Sequence, residues 1–213
     1  NHWAGACRPL DKIDFTKRSW VPKSGWPFDK SHLDPFYERA HSVVQLGPYD
    51  YSHEEWVSQE KPKLPFNENL LTTAMFRGRP LRFGQVYLDE IKNAPNIQTY
   101  LFANVTNISS NSYGSTIDNL RVATLAGNKF TVSSKIIILA TGGIENPRML
   151  LASNDVHKNG LGNQFDIVGR YFMEHLSAPA AVLFPSDSNF PMDLYSGKKD
   201  SRDGVIGYSY LTL

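Results

Sequence analysis

Lys135-Ile-Ile-Ile-Leu-Ala-Thr-Gly-Gly-Ile144 decides how this chain is read. Residues 136–139 form an unbroken apolar run, the pattern of a strand covered on both faces in an α/β sheet. The run feeds straight into Ala140-Thr-Gly-Gly143. Glycine has no Cβ, so at such a turn the backbone can approach a ligand closely. Ligands of open α/β sheets bind at the carboxyl ends of strands, where this turn would sit. An ordinary strand–turn–helix needing glycine only for its bend fits the segment equally well. Glu145-Asn-Pro-Arg-Met-Leu-Leu151 follows and reads as a helix with proline near its first turn.

Working outward, extended segments precede this stretch at Ile97–Phe102, Val105–Ile108, Leu120–Thr124, Phe130–Val132 and Lys135–Leu139. Asn111-Ser-Tyr-Gly114 and Ala126-Gly-Asn128 supply turns between them. Further upstream, Asp34-Pro35 has the form of an N-cap and first helical residue, which predicts a helix over about 35–46 that stops at Gly47-Pro48. Ser52-His-Glu-Glu-Trp56 has the form of a capping box and predicts a short helix. Leu70–Phe76 predicts a strand and Gln85–Asn93 a helix. Beyond residue 176 the chain turns β-rich again, with strands expected at Ala178–Phe184 and Val205–Leu213.

Composition narrows the function classes. Among 213 residues, 22 Lys and Arg face 21 Asp and Glu, a net charge of +1 that argues against a nucleic-acid footprint or a polybasic membrane patch. With 41% hydrophobic residues the chain can bury a core, while 13 Pro and 15 Gly favour loop-rich architecture over a helical bundle. No apolar run approaches the roughly 20 residues needed to span a bilayer as a helix. A lone Cys7 excludes an internal disulfide and leaves the compartment, cytoplasmic or periplasmic, undetermined. Both ends read as cut, the first beginning Asn1-His2-Trp3 and the last closing on an apolar strand.

Several stretches together resemble one family in order. Pro95-Asn-Ile-Gln-Thr-Tyr-Leu-Phe-Ala-Asn-Val-Thr106 is similar to a strand pair of the glucose-methanol-choline (GMC) oxidoreductases, and the Ala-Thr-Gly turn resembles the second nucleotide-contacting motif of two-motif flavoproteins. Asn1-His-Trp-Ala-Gly5 with Arg8-Pro-Leu-Asp11 is similar to the run beneath the flavin ring in the pyranose-oxidase-like branch. Trp20-Val-Pro through Phe28, then Leu33–Ala40, resembles the family's lead into a helix. Gly142–Leu151 followed by Val168-Gly-Arg-Tyr-Phe-Met-Glu-His175 is similar to a further block.

The resemblance implies an α/β (α+β overall) fold: part of a Rossmann-like FAD-binding domain at 1–15 and 70–155, interleaved with part of an antiparallel-sheet substrate domain at 16–69 and 156–213. It implies FAD as cofactor, a sugar or alcohol as substrate, an unspecified electron acceptor, and oxidation of a CH–OH group by proton abstraction with hydride transfer to flavin N5. The cofactor-binding residues it carries over are Asn1, His2, Trp3, Ala4, Gly5, Val105, Ala140, Thr141, Gly142 and Asn146. Val105 would contact adenine through its main chain, and Ala4 and Gly5 would run beneath the ring. His2-Trp3 matches the end of the motif that attaches flavin covalently through histidine, but Asn1 departs from it. A covalent bond and simple packing of a neutral imidazole beside the flavin therefore both stay open. The family's glycine-rich phosphate loop would precede Asn1 and its catalytic pair would lie beyond Leu213, so no catalytic residue is expected within the chain.

His175 reads as a structural histidine, and His32, His41, His53 and His157 show no metal-ligand spacing, so no metal site is expected. Asn104-Val-Thr and Asn107-Ile-Ser match glycosylation sequons, at Asn104 by chance within a strand. Two other functions stay open. One is a different two-motif flavoprotein, such as a reductase that also binds a nicotinamide. The other is a non-enzymatic carbohydrate-binding module using Trp20, Trp26, Tyr49, Tyr51 and Trp56.

Overall fold

The computed structural model describes residues 5–54, 56–57 and 62–174, together with 182, 184–185, 187, 189, 192–195, 200–202 and 204–212. In chain order the elements are β1 (Ala6–Cys7), α1 (Lys12–Phe15), α2 (Lys30–Val43), β2 (Thr72–Gly78), α3 (Phe83–Val86), α4 (Leu88–Asn93), β3 (Ala103–Ser110), β4 (Ile117–Thr124), β5 (Lys129–Val132), α5 (Glu145–Ala152), a 3-10 turn at Asp193–Tyr195, β6 (Asp200–Arg202) and β7 (Val205–Thr212). Helices thus mix with antiparallel sheets, as expected for the α+β class. The chain divides into one unit of residues 90–181 and another of residues 2–89 with 182–213.

The two-segment unit is built on an antiparallel sheet in the order β1-β2-β7-β6. The expected strands near 70–76 and 205–213 are therefore sheet neighbours, paired from Thr72↔Thr212 to Gly78↔Ile206. Trp56, Met75 and Leu194 are buried together at its core. A Cβ on Gly207 would lie 2.7 Å from the Trp56 ring, so this indole seats itself on β7 only because residue 207 has no side chain.

Helix α2 starts five residues before the expected Pro35, at Lys30, and ends at Val43 rather than 46. Its N-cap is Asp29, whose carboxylate accepts from the Ser31 backbone N–H and hydroxyl. Asp34 cannot cap because its carboxylate is held by the Lys30 ammonium and the Tyr49 hydroxyl. At the other end Gln45 (φ 55°) and Gly47 (φ 72°) turn the chain left-handed. The carbonyls left over there are taken by side chains: Tyr87 donates to Val43, Arg79 to Gln45 and Arg77 to Leu46. Arg77, buried on β2, also donates to the carbonyls of Pro48 and Asp50.

Two other expectations in this unit and at its end are revised, and a third is not covered by the described residues. Ser52 starts no helix, because its N–H and hydroxyl go to the Asp50 carboxylate, leaving a turn closed by Trp56 N–H on the His53 carbonyl. The helix expected at 85–93 is split at Tyr87, whose ring stacks on Phe83 and whose hydroxyl reaches Val43. The strand expected at Ala178–Phe184 falls largely outside the described residues.

In the 90–181 unit, β3, β4 and β5 form an antiparallel meander closed by the two expected turns, with Gly114 and Gly127 at positive φ. Pairing begins at Ala103↔Thr124, where β4 ends in its turn. The stretch expected as a strand at 97–102 therefore pairs with no described strand, and Leu101 and Phe102 stand exposed. Residues 135–139 do not form the doubly covered strand either. They are unpaired, with Ile136 76% and Ile138 83% exposed, because no described strand of this unit lies alongside them. An apolar run specifies burial only where neighbouring strands supply both hydrogen-bond partners and cover.

Candidate functional site

Within the 90–181 unit the sequence-marked residues fall at two places, the turn before α5 and the strand β3. At the turn, Asn146 is the organising side chain. Its Oδ1 accepts from the Thr141 N–H at 3.0 Å and from the Thr141 hydroxyl at 2.5 Å. Its Nδ2 donates to the Leu139 carbonyl at 3.2 Å. Residues 139–142 are thereby closed back on the first turn of the helix, and the Asn146 N–H adds a bond to the Gly142 carbonyl. Gly142 has φ 105°, a conformation that glycine enters without strain. Around Gly143 a Cβ would meet nothing within 4 Å, so the backbone there opens onto free space. Ala140, Thr141 and Gly143 are exposed.

Helix α5 opens on Glu145, whose carboxylate is clasped by Arg148 and thereby held below its usual pKa, a direct hydrogen bond being the main cause. An acidic first turn suits the positive end of a helix. Past the other end of α5, the buried Ser153 hydroxyl donates to the Met149 carbonyl and accepts from the Ile108 N–H. One hydroxyl therefore ties α5 to β3. Three residues before Ile108, Val105 pairs with Val122 beside a bulge at Thr106, whose hydroxyl caps the Arg121 carbonyl across the ladder. Val105 itself is half-buried. Bulges beside binding sites commonly re-aim neighbouring residues. Neither Ser153 nor Thr106 stood out in the sequence, since a serine after a helix and a threonine in a strand are both commonplace.

Of the remaining sequence-marked residues, Asn1, His2, Trp3 and Ala4 lie outside the described residues. So does His175. Gly5 is buried in the two-segment unit, with φ 84°. A Cβ there would come within 2.1 Å of the Arg79 carbonyl oxygen, so packing of the chain against Arg79 already demands glycine. Asn104 is exposed on β3, whereas Asn107 is buried and accepts from Ser109.

The histidines take separate roles. His32 lies in a chain of ring contacts between Phe28 and Phe36. His41 sits buried in the last turn of α2, its Nδ1 facing the Gly47 and Pro48 carbonyls and its Nε2 3.2 Å from the Tyr51 hydroxyl. Two carbonyls at Nδ1 require a proton there, so Nε2 accepts from Tyr51. Burial holds the His41 pKa below its usual value, and the nearby Arg77 charge adds to the effect. Burial raises the Tyr51 pKa, keeping its hydroxyl protonated. Among the described residues, no three His, Cys, Asp or Glu side chains gather as a metal site would need, and no helix is long and apolar enough to cross a membrane.

Comparison with known proteins gives two partial likenesses. The chain is 36% identical over 56 residues to a 2-methyl-1,2-propanediol dehydrogenase from Mycolicibacterium austroafricanum, a stretch covering 26% of this chain and 10% of that protein. It is 44% identical over 45 residues to the large subunit of a fructose dehydrogenase from Gluconobacter japonicus, covering 21% of this chain and 8% of that subunit. The matched stretches thus span a tenth of those proteins or less. No family model and no solved structure matches the chain.

Proposed function

We propose that this chain is part of an FAD-dependent oxidoreductase of the GMC type, of the pyranose-oxidase-like branch, which oxidises a CH–OH group of a sugar or small alcohol. At the coarser level, an oxidoreductase is supported by the likeness of two short stretches to proteins named as dehydrogenases. The observation that carries the finer reading is the turn from Leu139 to Gly142, fixed by Asn146 and open at Gly143.

Those residues fit a dinucleotide. A glycine-lined turn with free space beside its backbone admits a pyrophosphate or ribose without a Cβ in the way. In this reading Ala140, Thr141 and Gly142 offer main-chain contacts and Asn146 holds them in place. Val105 offers its main chain to the adenine, with β3 held against α5 through Ser153. Asn1, His2, Trp3, Ala4 and Gly5 pass beside the ring system, and His2 is the candidate for a covalent link. When bound, FAD supplies the hydride-accepting chemistry, and the protein supplies geometry. Residues 1–15 and 70–155 then belong to the flavin side of the protein and 16–69 and 156–213 to its substrate side. The base that takes the hydroxyl proton is assigned to residues outside this chain.

The test is a visible spectrum of the full-length protein of which this chain is proposed to be part, purified, reconstituted with FAD and then precipitated with acid. Flavin absorbance that travels with the folded protein supports the assignment. Flavin left in the acid pellet implicates His2, and flavin released to the supernatant leaves a non-covalent cofactor. A protein that takes up no FAD on reconstitution refutes the reading.

A further inference from the structure

A polar cavity of about 360 Å3 lies within the two-segment unit; none of the ten residues named above as cofactor-binding lines it, although Arg8, Pro9 and Asp11 continue the run that begins with them. The stretch after β1, the start of α2, the 49–52 loop and one face of β2 enclose it. Its size falls in the range of small-molecule sites, roughly 300–1,000 Å3.

The charges on its wall cancel. Arg8 and Lys30 are opposed by Asp11 and Asp50, two cations against two anions. Each charge is also neutralised in place: Arg8 pairs with Asp11 at 2.7 Å, Lys30 pairs with Asp34 just outside the wall, and the Arg77 guanidinium near Asp50 offsets its carboxylate. An entering anion would have to displace a resident carboxylate, and an entering cation would have to displace a resident ammonium or guanidinium. Net charge on a ligand therefore gains little here.

Hydrogen-bonding capacity is left over on both sides. A Lys ammonium has three donors, and on Lys30 the structure directs two of them, to Asp34 and the Tyr49 hydroxyl. The Asp50 carboxylate accepts from the Ser52 N–H and hydroxyl and has further lone pairs. Tyr51 donates to His41, so its oxygen presents lone pairs. Met75 and the Tyr49 ring add apolar surface among these groups. Donors and acceptors interleaved over apolar wall, with no net charge, match a molecule whose C–H surfaces alternate with hydroxyls.

We propose that this cavity is an accessory binding site for a neutral polyol of monosaccharide size. The proposal stands whether or not the protein carries flavin, since no part of it involves turnover.

The experiment titrates D-glucose into the full chain, read by saturation-transfer NMR and calorimetry, with acetate and inorganic phosphate as charged competitors. Glucose should bind saturably with a Kd on the order of 1–10 mM, and neither anion should displace it at equal concentration. Asp50→Ala should raise Kd about tenfold and Tyr51→Phe about threefold, while Asp118→Asn, in the other unit, should leave it unchanged. Thermal melts establish that each variant is folded, and Tyr51→Phe decides the matter if Asp50→Ala is not. Absent saturation, displacement by acetate or phosphate, or a Kd unmoved by the cavity variants would overturn the proposal. The last outcome would place any glucose at a different site.

Discussion

Replacing Asn146 by alanine removes three hydrogen bonds at once, two accepted from Thr141 and one donated to Leu139. All three lie near the surface, where a neutral hydrogen bond contributes about 0.5–1.5 kcal/mol net. Because the bonds share one side chain and one turn, their effects are coupled rather than additive. A loosening of the turn by about 1–2 kcal/mol follows, equivalent to roughly 5- to 30-fold faster exchange of the Thr141 amide hydrogen. Asn146→Asp separates the contributions. It keeps an acceptor for both Thr141 bonds and loses only the donor to Leu139, so its exchange should fall between wild type and Asn146→Ala. The assay is hydrogen exchange resolved at residues 139–146, alongside a thermal melt. The global melting temperature should change little, because the turn is exposed and local. A Thr141 amide equally protected in Asn146→Ala would refute the view that this side chain holds the turn.

Gly207→Ala should destabilise the two-segment unit by about 1–3 kcal/mol, because its methyl would stand 2.7 Å from the Trp56 ring; a denaturant melt followed by Trp fluorescence reports it, and an unchanged midpoint would show the indole free to move. Arg77→Met should cost about 3 kcal/mol or more, since it strips donors from the carbonyls of Leu46, Pro48 and Asp50 in a buried setting; soluble yield and melting temperature are the measures. His41 should make stability depend on acid. Its folded pKa lies below the unfolded value of about 6.5, so the unfolded chain binds more protons, and its stabilisation is full above that value and is lost as pH falls from there through the folded pKa. Melts between about pH 5 and 7 should therefore show a steeper loss in wild type than in His41→Gln, and parallel curves would contradict the lowered His41 pKa.

Part of the candidate site was legible before any coordinates. Thr141-Gly-Gly143 followed by Asn146-Pro147 marks a turn and a helix start through local chemistry alone, and the structure has both. What Asn146 does with its amide was not legible, because its partners at 139 and 141 depend on how the chain folds back. Asp34 illustrates the same limit: followed by proline, it looks like a cap, yet Lys30 and Tyr49 claim it and Asp29 caps instead. His41, one of six histidines without distinguishing spacing, became a buried acceptor only through the loop that brings Tyr51 to it.

The sequence by itself determined the features that rest on neighbouring residues. These are the turns at Gly114 and Gly127, the alternating strands of the meander, the helix after Thr141-Gly-Gly143 and the α+β class they imply. Backbone propensity and short-range hydrogen bonds act over a few residues, so those elements are written locally. Only the tertiary structure decided that Leu70–Phe76 and Val205–Leu213 meet as β2 and β7, that Gly207 yields its place to Trp56, and that Arg77 gathers three carbonyls from the loop after α2. It also decided that Ile136–Leu139, a buried strand by pattern, pairs with no described strand and leaves Ile136 and Ile138 exposed. A run of apolar side chains records a demand for burial, but whether the demand is met depends on which strands come to lie beside it.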